Sequence, residues 1–257
     1  MWMCSFFTAP VAAFMIAHVM AQDEGTPVRM VTVDLPHLLN RTSDTDPTGY
    51  IPDLWDALDN TKLITLKYPI RVASNFGQAV RDILNGNSDV FLAFVEPTAE
   101  LNKSMTFTIP VMNTSNVLVY HKDLNSTDTL LYLNGTDAKD IMERHTNVFT
   151  PTMRQLSQAV PSVPAGLEAV NNKKAFFLGR YPFFNKVMKK YPNLRITKKL
   201  ETVITHFGVA KNKPEILESL NAALYMLKRA GTLENLRILH FEGVERALNK
   251  LNTKPKA

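Results

Sequence analysis

Beyond residue 21 the histidines stand at 37, 121, 145, 206 and 240, and none forms an H-x-H or H-x-x-x-H pair of the kind that holds a metal ion. No G-x-S-x-G elbow for a serine nucleophile is present, nor a P-loop or G-x-G-x-x-G phosphate cradle. The polar residues with most chemical promise fall in residues 75–110, NFGQAVRDILNGNSDVFLAFVEPTAELNKSMTFTIP. There Glu96 follows Phe94 by two positions and precedes the turn Thr98-x-Glu100. A carboxylate beside aromatic faces suits a cationic or aromatic ligand. The competing reading makes Glu96 a solvated turn residue.

The elements that must position these groups follow from pattern. Residues 28–33 form a β-branched run suited to a first buried strand. A polar loop leads to Gly49-Tyr50-Ile51-Pro52-Asp53-Leu54-Trp55, which opens a helix with Asp53 as its expected cap. Residues 66–72 return as a strand. Asn75 caps the next helix, whose Phe76, Ala79, Val80, Ile83 and Leu84 share a face, and Gly86 stops it. Residues 89–95 are the third strand. This alternation predicts a parallel sheet covered on both faces.

After Pro110, a strand is expected over 116–121, then a polar segment to Thr136 and a helix over 137–144. A strand fragment at Val148-Phe149 and a helix begun by Thr150-Pro151-Thr152 follow. Short helices are expected over 165–171 and 182–191, and a strand over 206–210. A long helix starts at Pro214, ends at Gly231, and gives way to another over 233–239.

Composition sets the compartment. Residues 1–21 lack Lys, Arg, Asp and Glu, are rich in Met, Phe, Ala, Val and Ile, and end in Val19-Met20-Ala21, the small-x-small pattern of a cleavage site. They read as a secretory signal peptide cut near Ala21, although the absence of a basic n-region leaves an uncleaved anchor open. The single cysteine, Cys4, lies within that segment, so neither disulfides nor thiolate metal sites are expected afterwards. The net charge is +5, but the basic residues alternate with helix-core positions and lack an aromatic-basic pattern, which reads as a solvated surface and argues against a nucleic-acid partner. N-x-S/T sequons at Asn40, Asn102, Asn113, Asn125 and Asn134 would carry surface glycans in a eukaryotic secreted protein.

Three motifs then resemble one family in order and spacing. They are Gly49-Tyr50-x-x-Asp53-Leu54-Trp55, the segment with Asp89 and Thr98-x-Glu100, and Phe207-Gly208-Val209-Ala210-Lys211 followed by a helix closing on Leu227-x-x-x-Gly231-Thr232. The sequence is similar to the type II periplasmic solute-binding proteins of family 3, related to ionotropic glutamate receptor ligand-binding domains. The resemblance implies an α/β, two-lobed periplasmic-binding-protein-like fold, each lobe a sheet flanked by helices, joined by a two-segment hinge. Lobe 1 would comprise residues 28–112 and 213–257 and lobe 2 residues 115–210, with crossings near 111–115 and 211–213. A small-molecule ligand would sit between the lobes and favour their closure.

The resemblance also marks departures. Family amino-acid binders place a carboxylate-binding Arg where this chain has Leu101, and small hydroxyl residues near Ala93, Phe94 and Glu96. The lobe 2 acid that meets an α-ammonium falls near Gly179-Arg180, where no carboxylate is available. The expected ligand is therefore polar but not a standard α-amino acid. The ligand-binding candidates are His37, Phe76, Phe94, Glu96, Thr98, Thr152, Arg154 and Arg180, with no catalytic residue, metal or other cofactor. The favoured expectation is a periplasmic or secreted monomer, a binding protein rather than an enzyme, serving an ABC permease. A receptor-like sensory module partnered with a membrane receptor, and a dehydratase-like enzyme using Glu96, are the alternatives.

Overall fold

A computed structural model describes residues 25–35, 38–39, 47–124, 128–173, 175–185, 187–197 and 199–242. The expected signal segment, His37, and the sequons at Asn40 and Asn125 lie outside the described residues.

The first half of the chain builds one lobe. Strands β1 (Thr26–Val33), β2 (Ile64–Ala73) and β3 (Val90–Val95) pair in the order β2-β1-β3, all parallel. Every residue of β3 is buried, as a central strand covered on both faces requires. Helix α1 (Tyr50–Asp59) packs Tyr50, Ile51, Leu54, Trp55 and Leu58 into the core. Its N-cap is Gly49 rather than Asp53: the Asp53 side chain meets His240 Nε2 at 2.6 Å instead.

Asn75 caps α2 (Phe76–Leu84) as expected, accepting from Gln78 N–H at 2.9 Å, and Gly86 follows at φ +69°. The buried face of α2 differs from the expected one. Leu84 is 57% exposed, and Asp82 is buried in its stead, held by Arg71 Nε at 2.6 Å and Gln78 Nε2 at 3.1 Å. A neutralised carboxylate can enter a core that simple apolar periodicity would close to it.

The sheet is mixed rather than parallel. Strand β10 (Glu201–Ala210) runs antiparallel to β3 and to the short β4 (Met105–Phe107), which follows the one-turn helix α3 (Leu101–Ser104).

The second lobe is organised on β5 (Met112–His121), which pairs antiparallel with β8 (Phe176–Arg180), β9 (Leu194–Ile196) and β10. Strands β6 (Leu130–Leu133) and β7 (Gln158–Val160) extend the sheet in parallel beyond β8. Helices α4 (Ala138–Arg144), α5 (Pro151–Gln155), α6 (Val163–Asn171) and α7 (Tyr181–Asn185) occupy its connections. Val148-Phe149 is not a strand: Phe149 is a buried turn residue whose N–H is bonded to His145 O.

One strand serves both lobes. Residues 201–205 of β10 pair with β5, whereas Gly208–Ala210 pair with β4 and His206, Gly208 and Val209 pair with β3. The register shifts between His206 and Gly208. Strand β10 thus spans both parts of the sheet, and β5 begins at Met112 beside its first half. Thr205 Oγ1 donates to Met112 O at 2.8 Å and clasps the two crossing segments. Helices α8 (Pro214–Arg229) and α9 (Thr232–Arg237) then return to the first lobe, burying Ile216, Leu220, Ala223, Leu224, Leu227 and Leu233.

Candidate functional site

A cavity of about 570 Å³ lies between the lobes. From the first lobe it is lined by α2 (Phe76, Gly77, Val80), by β3 (Phe91, Phe94, Val95) and by the turn bearing Glu96, Thr98 and Glu100. The second lobe contributes Asn116 of β5, the β6–α4 turn from Tyr132 to Asp140, and the end of β8 with Arg180, Phe183 and Phe184.

The walls are aromatic because β3 and α7 face each other across the gap. Phe94 packs on Tyr50 at 5.2 Å between centroids and stacks on Phe183 at 6.2 Å. Phe76, half-buried, meets Phe91 edge-on at 5.6 Å. The lobes come into close approach at Gly135, whose φ of +77° and missing side chain fit it against α2. A Cβ there would lie 3.3 Å from both Phe76 Cβ and Gly77 N.

Charge is concentrated at the far end of β3. Glu96 extends from the first lobe toward two guanidinium groups of the second, Arg144 Nη2 at 3.4 Å and Arg180 Nη2 at 3.6 Å. Each arginine already has a closer partner. Arg180 Nη2 donates to Asp137 Oδ2 at 2.9 Å, and Arg144 Nη2 to Glu201 Oε1 at 3.0 Å. Glu201 also accepts from Asn116 Nδ2 at 2.8 Å and lies 3.1 Å from His145 Nε2. Burial opposes its charge, but the bonds from Arg144, Asn116 and His145 prevail and hold its carboxyl below the ordinary range.

Glu96 moves the other way. Burial first, then the Asp137 carboxyl beside it, pushes Glu96 above the ordinary glutamate range despite the two arginines. Among the described residues Glu96 Oε2 and Arg180 Nη1 are buried atoms without a hydrogen-bond partner. Arg180 as a whole is only 9% exposed. Two residues of opposite charge that line the cavity thus each keep a buried atom unpaired, a costly arrangement.

The structure brings five of the sequence candidates together here: Phe76, Phe94, Glu96, Thr98 and Arg180. Thr98 also has a local task, its Oγ1 accepting from Leu101 N–H at 3.2 Å at the start of α3. Thr152 and Arg154 do not line the cavity. Thr152 is exposed on α5, which Thr150 caps, and Arg154 donates to Phe149 O at 3.0 Å and faces Glu143 at 3.7 Å. His37 lies outside the described residues.

Asp137, Arg144, Asn116 and Glu201 were not among the candidates. Asp137 corrects the expectation that no carboxylate stands near Gly179-Arg180: it arrives from the β6–α4 turn, far away in sequence. Glu201 belongs to the half of β10 that the sequence pattern missed, where exposed and buried residues alternate. Among the described residues no group of three or more His, Cys, Asp or Glu is arranged to hold a metal ion.

A profile of bacterial extracellular solute-binding proteins, family 3, matches residues 20–242. The chain belongs to this family. This family 3 solute-binding protein also has the fold of solved relatives. The substrate-binding protein of an amino acid ABC transporter superposes with a TM-score of 0.69 at 19% identity, covering 84% of this chain and 99% of the other. A GluR0 ligand-binding core from Nostoc punctiforme in complex with L-glutamate gives 0.69 at 19% identity, covering 84% and 100%. The putative binding component of an ABC transporter from Wolinella succinogenes, complexed with lysine, gives 0.70 at 18% identity, covering 85% and 97%. At such identities the likeness establishes the two-lobed fold of this solute-binding protein and leaves its ligand to be argued from the cavity. No curated protein sequence matches the chain.

Proposed function

We propose that this solute-binding protein closes its lobes on a small zwitterionic solute of the amino-acid class and releases it unchanged. The observation that carries the reading is the pair of oppositely charged residues that line one aromatic-walled cavity, Glu96 and Arg180, each with a buried atom left unpaired. A carboxylate on the ligand would meet the Arg180 guanidinium, and an ammonium group would meet Glu96. An apolar or aromatic side chain would then lie along Phe76 and Phe91, where cation–π contact is also open to a basic one. The cavity volume, about 570 Å³, falls within the roughly 300–1,000 Å³ of small-molecule sites.

The absence of an arginine at Leu101 was the reason to expect something other than a standard α-amino acid. Arg180, entering from the opposite lobe, answers that reason, because a guanidinium is available after all. The solved relatives crystallised with L-glutamate and with lysine lend the amino-acid class further support. Use by an ABC permease is proposed on the family, as is export of the chain by its first 21 residues.

Native mass spectrometry of freshly purified protein, followed by calorimetric titration with L-glutamate, L-lysine, L-alanine and L-phenylalanine, tests the reading. A co-purifying zwitterion or saturable binding of one of the four is expected. A cavity that retains no such solute and binds none of the four would sink it.

A further inference from the structure

The charged cluster across the cleft does not balance. Glu96, Asp137 and Glu201 supply three carboxyl groups, and Arg144 and Arg180 two guanidinium groups. Both arginines are already engaged at 2.9–3.0 Å by Asp137 and Glu201, so Glu96 meets them only at 3.4 and 3.6 Å. Glu96 Oε2 is left buried and without a hydrogen bond among the described residues, and so is Nη1 of the nine-tenths buried Arg180 beside it. The remaining charged residues on the cavity wall, Glu100, Lys139 and Asp140, add one further negative charge between them.

Glu96 and Asp137 come from opposite lobes. Glu96 follows β3, and Asp137 immediately precedes α4. Both approach the same atom, Arg180 Nη2. In this structure the two lobes bring both carboxylates to that one guanidinium.

Resting on the reading that the lobes close on an amine-bearing solute, we propose that Glu96 and Asp137 form an interlobe seat for one positive charge, taken by the ligand's ammonium group when solute is bound and by a proton when the cleft closes empty. The upward displacement of Glu96 agrees with this, since burial and the facing Asp137 carboxyl both favour its protonated form. The sign follows from linkage. The closed state holds the proton more tightly than an open state in which Glu96 faces water, so acid drives the empty protein toward closure. Each unit by which closure raises the Glu96 pKa multiplies the closed-to-open ratio about tenfold across that window. Binding of an ammonium group expels the proton, so affinity falls as the pH falls through the same window.

The test uses no ligand, so its outcome is independent of which solute the cavity takes. Spin labels at Glu168→Cys on α6 and Glu218→Cys on α8, both exposed and outside the cavity, report the interlobe distance in a Cys4→Ser background. As the pH is lowered from neutral into the acid range, the wild type is expected to shift toward the shorter distance. Glu96→Gln, permanently neutral there, is expected to show the shorter distance throughout and lose the response. A wild-type distribution indifferent to pH overturns the proposal. So does a response that survives in Glu96→Gln, which would assign it to another group. Circular dichroism of the variant at both pH values confirms that a folded protein is being compared.

Discussion

At the scale of single residues, two carboxylates show how environment decides role. Asp89 is 7% exposed and receives three bonds from Arg29: the backbone N–H at 2.9 Å, Nε at 3.0 Å and Nη2 at 2.7 Å. Burial works against its charge, but these bonds outweigh it and hold its pKa below the ordinary aspartate range. A folded-state pKa lowered in this way adds stability above the unfolded aspartate pKa, and that stability is lost as the pH falls through the folded one. Asp89→Asn should therefore cost about 1–2 kcal/mol at neutral pH, and less in acid, as read from urea unfolding at both pH values.

Arg180 belongs to the cavity instead. Arg180→Gln should weaken binding of the co-purified or best-titrated solute roughly ten- to a hundredfold, the effect of losing a charged hydrogen bond of about 1.5–3 kcal/mol. An affinity unchanged in calorimetry would remove Arg180 from the site. Asp89 and Glu96 were both readable as single residues. Their opposite fates were not, because Arg29 and Asp137 reach them through pairings that sequence neighbours do not reveal.

Elements whose signals are local were legible. Asn75 and Gly86 bracket α2, Pro214 and Gly231 bracket α8, and the buried run of β3 reads as a central strand. Short strands were not. Strand β6 hides as Leu130-Leu131-Tyr132-Leu133 in a polar stretch, and β7 and β9 have three residues each. Such elements exist because a neighbour pairs with them, and propensity over so short a window carries little weight.

The β6–α4 turn illustrates the functional consequence, since Gly135 lets it lie against the N-terminus of α2. Gly135→Ala should act twice. The left-handed backbone costs about 1–2 kcal/mol in stability, measurable by thermal unfolding. The added methyl also meets Phe76 and Gly77 at 3.3 Å, so solute affinity should fall by more than the stability loss accounts for. Wild-type affinity in a destabilised variant would show that the lobes do not need this approach.

At the scale of the whole molecule, the two lobes share β10 and are clasped at Thr205. They should lose structure together. Trp55, wholly buried in the first lobe, reports one side, while far-ultraviolet dichroism reports both. Coincident denaturant transitions by the two probes are expected, and separated midpoints would show the lobes unfolding independently. A bound solute at a hundred times its dissociation constant should raise the stability of this unit by about 2.7 kcal/mol, visible as a higher melting temperature.

The path of the strand has a further consequence for how the protein comes into being. Val90 in β3 stands opposite Val209, a residue made more than a hundred positions later, and beside them Ala210 N–H donates to Asp89 O at 2.9 Å. Helix α8, which covers that sheet, is made later still. The lobe begun first is therefore finished last, and the lobe inserted within it has all its strands by the end of β10. A chain emerging from a ribosome or a translocation pore must hold Val28, Val31, Phe91 and Leu92 uncovered until its final quarter appears. Nascent chains halted after Ala210 should be readily cleaved by protease in residues 64–95, and chains halted after Glu242 should resist. The architecture delays maturation of one wall of the cavity until nearly the whole chain has been delivered.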